Sequence, residues 1–337
     1  MVSMKDVSAA CGVSVSTVSK ALSDRNDIGE GTKEYIRRVA KEMGYFPNSS
    51  ARALKTNRSY DLGVLFVDEA QSGLTHDYFA SVLESFKVTA EEQGYDITFI
   101  NCNKARKGSM SYLEHSKYRG VDGVVIACVK FDDPEVIELV QSDLPVVTID
   151  HVFNNRMAVQ SNNIKGMEEL VTYIYGQGHR KIAYIHGKDS AVTRSRLTSF
   201  YKTVEELGIQ IPQEYVLEGE YRELTSTMEF TNRLLELVNP PTCIIYPDDF
   251  AAIGGMNAIK NKNLNIPEDI SIAGYDGINI AAQIEPKLTT IRQGTMEMGK
   301  LAAEKLIQLI EKPKSTLMEH IIVEGRLIEG KSICKIS

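Results

Sequence analysis

Three apolar runs in the chain stop on acids. Val147-Thr148-Ile149 is followed by Asp150, Ile244-Ile245-Tyr246-Pro247 by Asp248 and Asp249, and Ile272-Ala273-Gly274-Tyr275 by Asp276. A carboxylate leaving a buried strand can accept hydrogen bonds from ligand hydroxyls, and Arg196, within Thr193-Arg194-Ser195-Arg196-Leu197, offers a planar fork of donors. Such a set suits a sugar. Taken singly, each acid is as well explained as a helix N-cap or a solvated loop residue; the set points to a ligand. Catalysis finds less support. There is no phosphate-binding Walker loop, no Gly-x-Ser-x-Gly elbow and no His-Glu-x-x-His pair, and no catalytic residue is assigned. Asp248 and Asp249 are adjacent in sequence and need not form a facing catalytic pair. Cys11, Cys102, Cys128, Cys243 and Cys334 are dispersed, as are the six histidines. That spacing excludes a disulfide framework and a metal site, and no cofactor is expected.

A second polar set lies near the N-terminus. Ser3 can cap a helix from Met4 to Ala10, Gly12 breaks it, and Ser14 can cap another from Val15 to Leu22. Val18 and Leu22 face inward, leaving Val15, Ser16, Thr17, Ser19 and Lys20 outside. This is a helix-turn-helix layout. Short hydroxyls fit against phosphates and base edges, Lys20 can reach guanine or phosphate, and Val15 can pack on a thymine methyl. A third helix places Ile36, Val39, Ala40 and Met43 inward, with Lys33, Arg37, Arg38 and Lys41 on its other faces, and ends at Gly44. Beyond it Pro47 halts the chain and Asn48 can cap a short helix. Leu54 then stands apolar among basic residues, as a minor-groove wedge would. Net charge is −7, yet residues 1–60 carry ten Lys/Arg against six Asp/Glu, so a basic head sits on an acidic body.

The elements that must position the acids follow from Asp61 onward. Apolar runs at 62–67, 96–100, 121–127 and 145–149 read as strands around a helix at 77–93. A second series follows: helix 164–175, strand 181–185, helices from Arg196 to Leu207 and from Ser226 to Val238, strand 243–246, helix 251–261 and strand 270–273. Two such series predict two doubly wound parallel sheets, with ligands outside the carboxyl ends of their strands, in the cleft between them. No apolar run approaches the roughly 20 residues a membrane helix needs, and Lys5 and Asp6 precede any apolar stretch, so a cytoplasmic protein with no membrane partner is expected.

Asp6-Val7, Ala10, Gly12-Val13-Ser14-Val15-Ser16-Thr17-Val18-Ser19 and Gly44-Tyr45-x-Pro47-Asn48-x-x-Ala51-Arg52-x-Leu54 resemble the lactose-repressor/galactose-repressor family of bacterial transcription regulators, and the likeness continues to the C-terminus. The resemblance implies an all-α helix-turn-helix head (1–46), a hinge helix and linker (47–60), and an α/β body (61–337). The body has two lobes of periplasmic-binding-protein type: 61–160 plus 292–320, and 161–291 plus 321–337. By resemblance Ser14, Val15, Ser16, Thr17, Ser19, Lys20, Asn48, Ala51, Arg52 and Leu54 contact a palindromic double-stranded operator, with Lys20 where Arg is more usual. Tyr78, Phe79, Cys128, Asp150, Arg196, Tyr221, Asp248, Asp276 and Gln293 bind a small effector, expected to be a carbohydrate. Ser199 stands where the family usually has Gly, Asn162-Asn163 replace Asp-Asn, and Thr295 leaves no ring where some sugar-binding members carry one. The family's tetramers use an added C-terminal heptad helix. Only Lys331 to Ser337 follow Gly330 here, so a homodimer is expected. The implied function is repression of transcription, with effector and operator linked through lobe movement. Two alternatives are a regulator controlled mainly by a phosphocarrier protein and, remotely, a sugar-modifying enzyme.

Overall fold

The computed structural model describes residues 2–46, 58–67, 73–101 and 110–336, in two compact units, Met1–Tyr60 and Asp61–Ser337. Asn48, Ala51, Arg52 and Leu54 lie outside the described residues.

The head holds α1 (Met4–Cys11), α2 (Val15–Leu22) and α3 (Glu30–Glu42). Ser3 and Asp6 cap α1 reciprocally, the Asp6 carboxylate accepting from Ser3 N at 2.8 Å. Gly12 closes α1 at a φ of 65°, a left-handed turn that costs glycine little. Val7, Val18, Ala21, Ile36 and Ala40 form the buried core, with Val13, Leu22, Ile28, Met43 and Tyr45 packed on its margin. One expectation fails. Lys33, placed on an outer face of the third helix, is buried at 5% exposure. Its stem packs down while its ammonium reaches Asp24 at 3.0 Å and Glu30 at 3.2 Å. A long aliphatic stem permits this division.

In the body, the first sheet runs β11-β5-β4-β3-β1-β2. Its strands are β1 (Asp61–Phe66), β2 (Asp96–Ile100), β3 (Gly123–Ala127), β4 (Val146–Ile149), β5 (Met157–Ser161) and, returning late, β11 (His320–Val323). All five pairings are parallel. Buried on both faces, β3 and β4 are continuous apolar runs, as parallel strands between helices must be. Helices α4 (Asp77–Glu92), α5 (Tyr112–Arg119) and α6 (Pro134–Gln141) connect them. The second sheet, β7-β6-β8-β9, is built from β6 (Ile182–His186), β7 (Val216–Glu218), β8 (Cys243–Ile245) and β9 (Ser271–Ala273), again all parallel. Around it lie α7 (Asn163–Gly176), α8 (Ala191–Glu206), α9 (Leu224–Leu235) and α10 (Asp249–Asn261). The chain returns through β10 (Thr290–Arg292) to α11 (Thr295–Glu311), which packs along α4, and finally pairs β12 (Arg326–Ile328) with β10. Gly299 lets α11 lie against the α4 backbone; any Cβ there would overlap the Val82 carbonyl.

Two element expectations need correction. The helix expected to begin at Arg196 begins at Ala191, because Ser190 accepts from Thr193 N and caps it. Arg196 therefore sits in the second turn. The first lobe's late segment, expected to end at 320, extends to Val323, where β11 pairs with β5. With His320 and Ile322 exposed, this edge strand lacks the continuous apolar run that marks the inner ones. Both polar departures from the family pattern in the second lobe are structural. Ser199 donates to the Ile164 carbonyl at 2.6 Å, and Asn162 caps α7.

Candidate functional site

The carboxyl ends of the strands turn in an unusual way. Cys128 after β3, Asp150 after β4 and Asp276 after β9 have φ values of 54°, 59° and 100°. Non-glycine residues seldom occupy this region, Asp more readily than Cys, and such positions concentrate at binding and catalytic sites.

Around these turns the polar side chains interlock. Tyr78, in the first turn of α4, donates to Asp150 Oδ2 at 2.6 Å, and Asp150 Oδ1 accepts from Ser161 N at 3.0 Å. From the second lobe, the Arg196 guanidinium lies over the Tyr275 ring at 3.6 Å. It donates to Asn163 Oδ1 at 2.7 Å and to the Pro247 carbonyl at 3.1 Å, with Asp276 Oδ1 3.6 Å away. Gln293, where β10 leads into α11, donates to Asp276 Oδ1 at 2.6 Å. Among the described residues its own buried Oε1 has no hydrogen-bond partner, nor has the Tyr275 hydroxyl. Burying an unpaired polar atom is costly, so the Gln293 oxygen, beside Asp276, marks a position where a ligand's donor would be welcome, while the Tyr275 hydroxyl packs against Gly166 of α7 in the second lobe's core. Tyr221 packs its ring on Gly187 and shares a 2.8 Å hydrogen bond with Thr193.

The electrostatics follow from burial. Burial works against the Arg196 charge, yet Tyr221, Tyr275 and Asp276 more than offset it and hold the guanidinium protonated. Burial raises the Asp150 carboxyl, opposed by its hydrogen bonds from Tyr78 and Ser161. Burial, then the charge of Asp276, pushes Asp248 up to about 6.

The acids at 248 and 249 divide in role. Asp248 is the N-cap of α10; Oδ1 accepts from Ala251 N and Oδ2 from Arg222 N, both at 2.7 Å. Asp249 is fully buried, bracing Thr290 and the Ile278 amide. Capping thus accounts for Asp248 Oδ1, while Oδ2 holds the Arg222 amide outside α10. Phe79, half-buried, meets Phe66, His76 and Tyr78 edge-on. Cys128 stands at the strand-end turn after β3.

Residues that sequence reasoning missed complete the cleft. Arg222, in a left-handed turn of the second lobe, reaches the first lobe, donating to Asp77 at 3.1 Å and to the Thr75 carbonyl at 3.3 Å. Its main chain meanwhile holds Asp248, so one residue ties the second lobe's site to the start of α4, beside Tyr78. Phe131 and His151 stack at 4.2 Å with Phe153 alongside, after β3 and β4. His151 is a weaker base than usual, through burial and then the charge of Arg194. Asn163 and Tyr275 were visible in sequence, in the Asn162-Asn163 pair and before Asp276, but without a role in the site.

In the head, α2 leaves Ser14, Val15, Ser16 and Lys20 exposed and Thr17 and Ser19 half-buried. Ser14 Oγ is occupied as the helix cap, accepting from Thr17 N at 3.0 Å and meeting Thr17 Oγ1 at 2.8 Å. Lys20 Nζ meets Asp27 Oδ2 at 2.5 Å.

A helix-turn-helix head followed by two parallel-sheet lobes enclosing buried charged groups defines an effector-controlled DNA-binding regulator. Residues 3–48 match the model of bacterial regulatory proteins of the lacI family, and residues 171–333 match the periplasmic binding protein-like domain. The probable HTH-type transcriptional repressor ExuR of Bacillus subtilis (strain 168) is 30% identical over 340 residues, covering 100% of both chains. The HTH-type transcriptional repressor PurR of Histophilus somni (strain 2336) is 30% identical, covering 99% of each. The chain belongs to the lacI family of transcriptional repressors. Solved structures agree in fold. The Lac repressor dimer bound to operator and the anti-inducer ONPF superposes with a TM-score of 0.82 at 24% identity, covering 99% of each chain. A LacI family regulator from Enterococcus faecium with bound ribose superposes at 0.70 and 24%, covering 82% of this chain and 100% of that one. No helix among the described residues is long and apolar enough to cross a membrane.

Proposed function

We propose that this repressor is a cytoplasmic homodimer that reads a palindromic operator with α2 and releases or grips it according to a polyhydroxylated effector, of sugar class, held between the lobes. The observation that carries the effector reading is the Arg196–Asp276–Gln293 cluster opposite Tyr78–Asp150. It offers fixed donors, acceptors and an unpartnered Gln293 oxygen at the carboxyl ends of two parallel sheets. Asp150, Asp276 and Gln293 would accept ligand hydroxyls, Arg196 would donate, and Tyr78 and Tyr221 would supply walls. Ser16, Ser19, Lys20 and Val15 would face base edges and phosphates. Ribose in the E. faecium regulator and cellobiose in the CelR complex occupy the same fold. Nothing among the described residues favours control by a phosphocarrier. Linkage does the rest: a ligand that binds one lobe arrangement better biases the DNA-binding state by its differential affinity.

The test is a thermal-shift panel of sugars, sugar acids, nucleobases and amino acids on the full-length chain. A ligand at about 100 times its Kd stabilises by roughly 2.7 kcal/mol, a readily seen rise. A rise with a sugar, lost in Arg196→Met, supports the reading. A hit confined to nucleobases or amino acids replaces the ligand class, and no hit in any class overturns the cleft reading.

A further inference from the structure

We propose that Asp27 is a specificity-positioning residue of the DNA-reading head: it holds the Lys20 ammonium for a base edge and keeps it off the phosphates. This rests on the reading above that α2 enters the major groove.

The pair is not a casual surface contact. Lys20 is in the last turn of α2, and Asp27 lies in the 23–29 loop before α3. That loop is pinned at several points. Arg25 N donates to the Lys20 carbonyl at 3.0 Å, and Ile28 packs on the head's core. Asp24, in a left-handed turn, is held by Lys33 at 3.0 Å and Arg37 at 2.7 Å. Asp27 is therefore a carboxylate on a fixed mount rather than on a free loop. The ammonium donates to the carboxylate in a charge-assisted hydrogen bond, and both side chains remain about half exposed, at 45% and 54%. The pair thus stays open to a third party.

Chemistry gives the pair a direction. An ammonium has three donors. One goes to Asp27, leaving two for a guanine O6/N7 edge or a phosphate. A phosphate brought to Lys20 meets the Asp27 carboxylate as a like charge, whereas a guanine edge is neutral and a cytosine amino group can donate to Asp27 itself. The pair therefore penalises non-specific contact more than base contact. Lysine needs such a partner more than arginine does, being a flexible point charge without a preorganised fork. The departure from the family's usual Arg at position 20 and the acid seven residues on explain one another.

The experiment compares wild type, Asp27→Asn and Asp27→Glu as full-length proteins on a randomised duplex library at fixed salt, followed by titrations on the selected duplex and a scrambled one. Asp27→Asn is expected to tighten binding to the scrambled duplex severalfold and to lower the specific-to-scrambled ratio about tenfold, the worth of one base contact. Its loss of base preference is confined to one position per half-site. The salt slope on scrambled DNA steepens by about 0.9 per head, one more phosphate each, or about 1.8 for a dimer. Asp27→Glu keeps most of the ratio, and in a Lys20→Met background Asp27→Asn changes nothing further. Unchanged preference and ratio in a folded Asp27→Asn protein overturn the proposal, as do equal losses on both duplexes, the mark of a merely structural role. If wild type selects no motif, the DNA-reading assignment of α2 fails first and takes this inference with it.

Discussion

In the head, Lys20 and Asp27 meet at 2.5 Å with 45% and 54% of their side chains in water; in the cleft, Arg196 and Asp276 stand 3.6 Å apart with 4% and 12% exposed. The shorter bridge is the weaker holder of structure, because solvent screens it and competes for both partners. The longer one sits among buried aromatic rings and main-chain acceptors, where a lost charge cannot be replaced by water. The difference matches the tasks. A groove-reading face must exchange its partners for DNA at little cost, so its charges are kept wet. A small-ligand site must discriminate hydroxyl positions, so its donors are fixed before the ligand arrives.

Breaking the cleft side should have the largest effect. Arg196→Met removes one partner of a buried pair and orphans Asn163 and the Pro247 carbonyl. It is expected to cost the body about 3–5 kcal/mol in urea unfolding and to abolish effector-induced stabilisation. An unmoved unfolding midpoint would show the cleft charge to be no better held than the head's.

Asp248 sharpens the comparison through pH. Its folded carboxyl titrates at about 6, above the unfolded value near 3.9, so the folded state binds the proton more tightly. Its charge is therefore a cost above pH 6, relieved as pH falls from 6 toward 4, with a span of about 3 kcal/mol. Asp248→Asn should flatten that component while keeping one acceptor for the α10 cap. The readout is the difference between the two proteins' unfolding free energies at pH 7 and pH 4.5. A difference independent of pH would mean that the carboxylate is not desolvated.

A smaller effect is expected at Arg222, whose guanidinium is mostly covered while Asp77 is half in water. Arg222→Gln should cost about 1 kcal/mol or less after allowing for that screening. It should also speed effector release severalfold with little change in the on-rate, since the lobes lose one tie. Small-angle scattering that shows the same compactness in both proteins, with equal release rates, would remove Arg222 from lobe coupling. Least of all is expected from Lys33→Met in the head. The thioether keeps the packed stem, and the lost ion pairs with Asp24 and Glu30 are solvent-screened, so thermal unfolding should move little and become less dependent on salt. A large drop would put the head's charges in the same regime as the cleft's.

Much of this chain is decided locally. Ser3, Ser14 and Gly12 mark where α1 and α2 start and stop because capping and left-handed turns depend on side chains within three or four residues. The inner strands announce themselves as apolar runs because burial on both faces leaves no polar alternation. The strand-end acids were readable as a set for the same reason. What sequence could not sort was their division of labour. Asp248 and Asp249 are neighbours of one type, yet one caps α10 while the other braces Thr290, 41 residues away. The edge strand β11 hid because half its residues face water, and Lys33 hid because Asp24, one of its two acid partners, comes from the loop before α3, whose path the helical pattern does not set. Arg222 reaches a carboxylate 145 residues distant, and Arg196 an amide 33 residues back. The first pair meets only when two separate sheets have folded and faced each other, the second only when α7 and α8 have packed together beside the second sheet. Periodicity and capping are short-range and so are written in the sequence; the electrostatics of the cleft depend on burial and on distances between remote segments, which only the tertiary structure supplies.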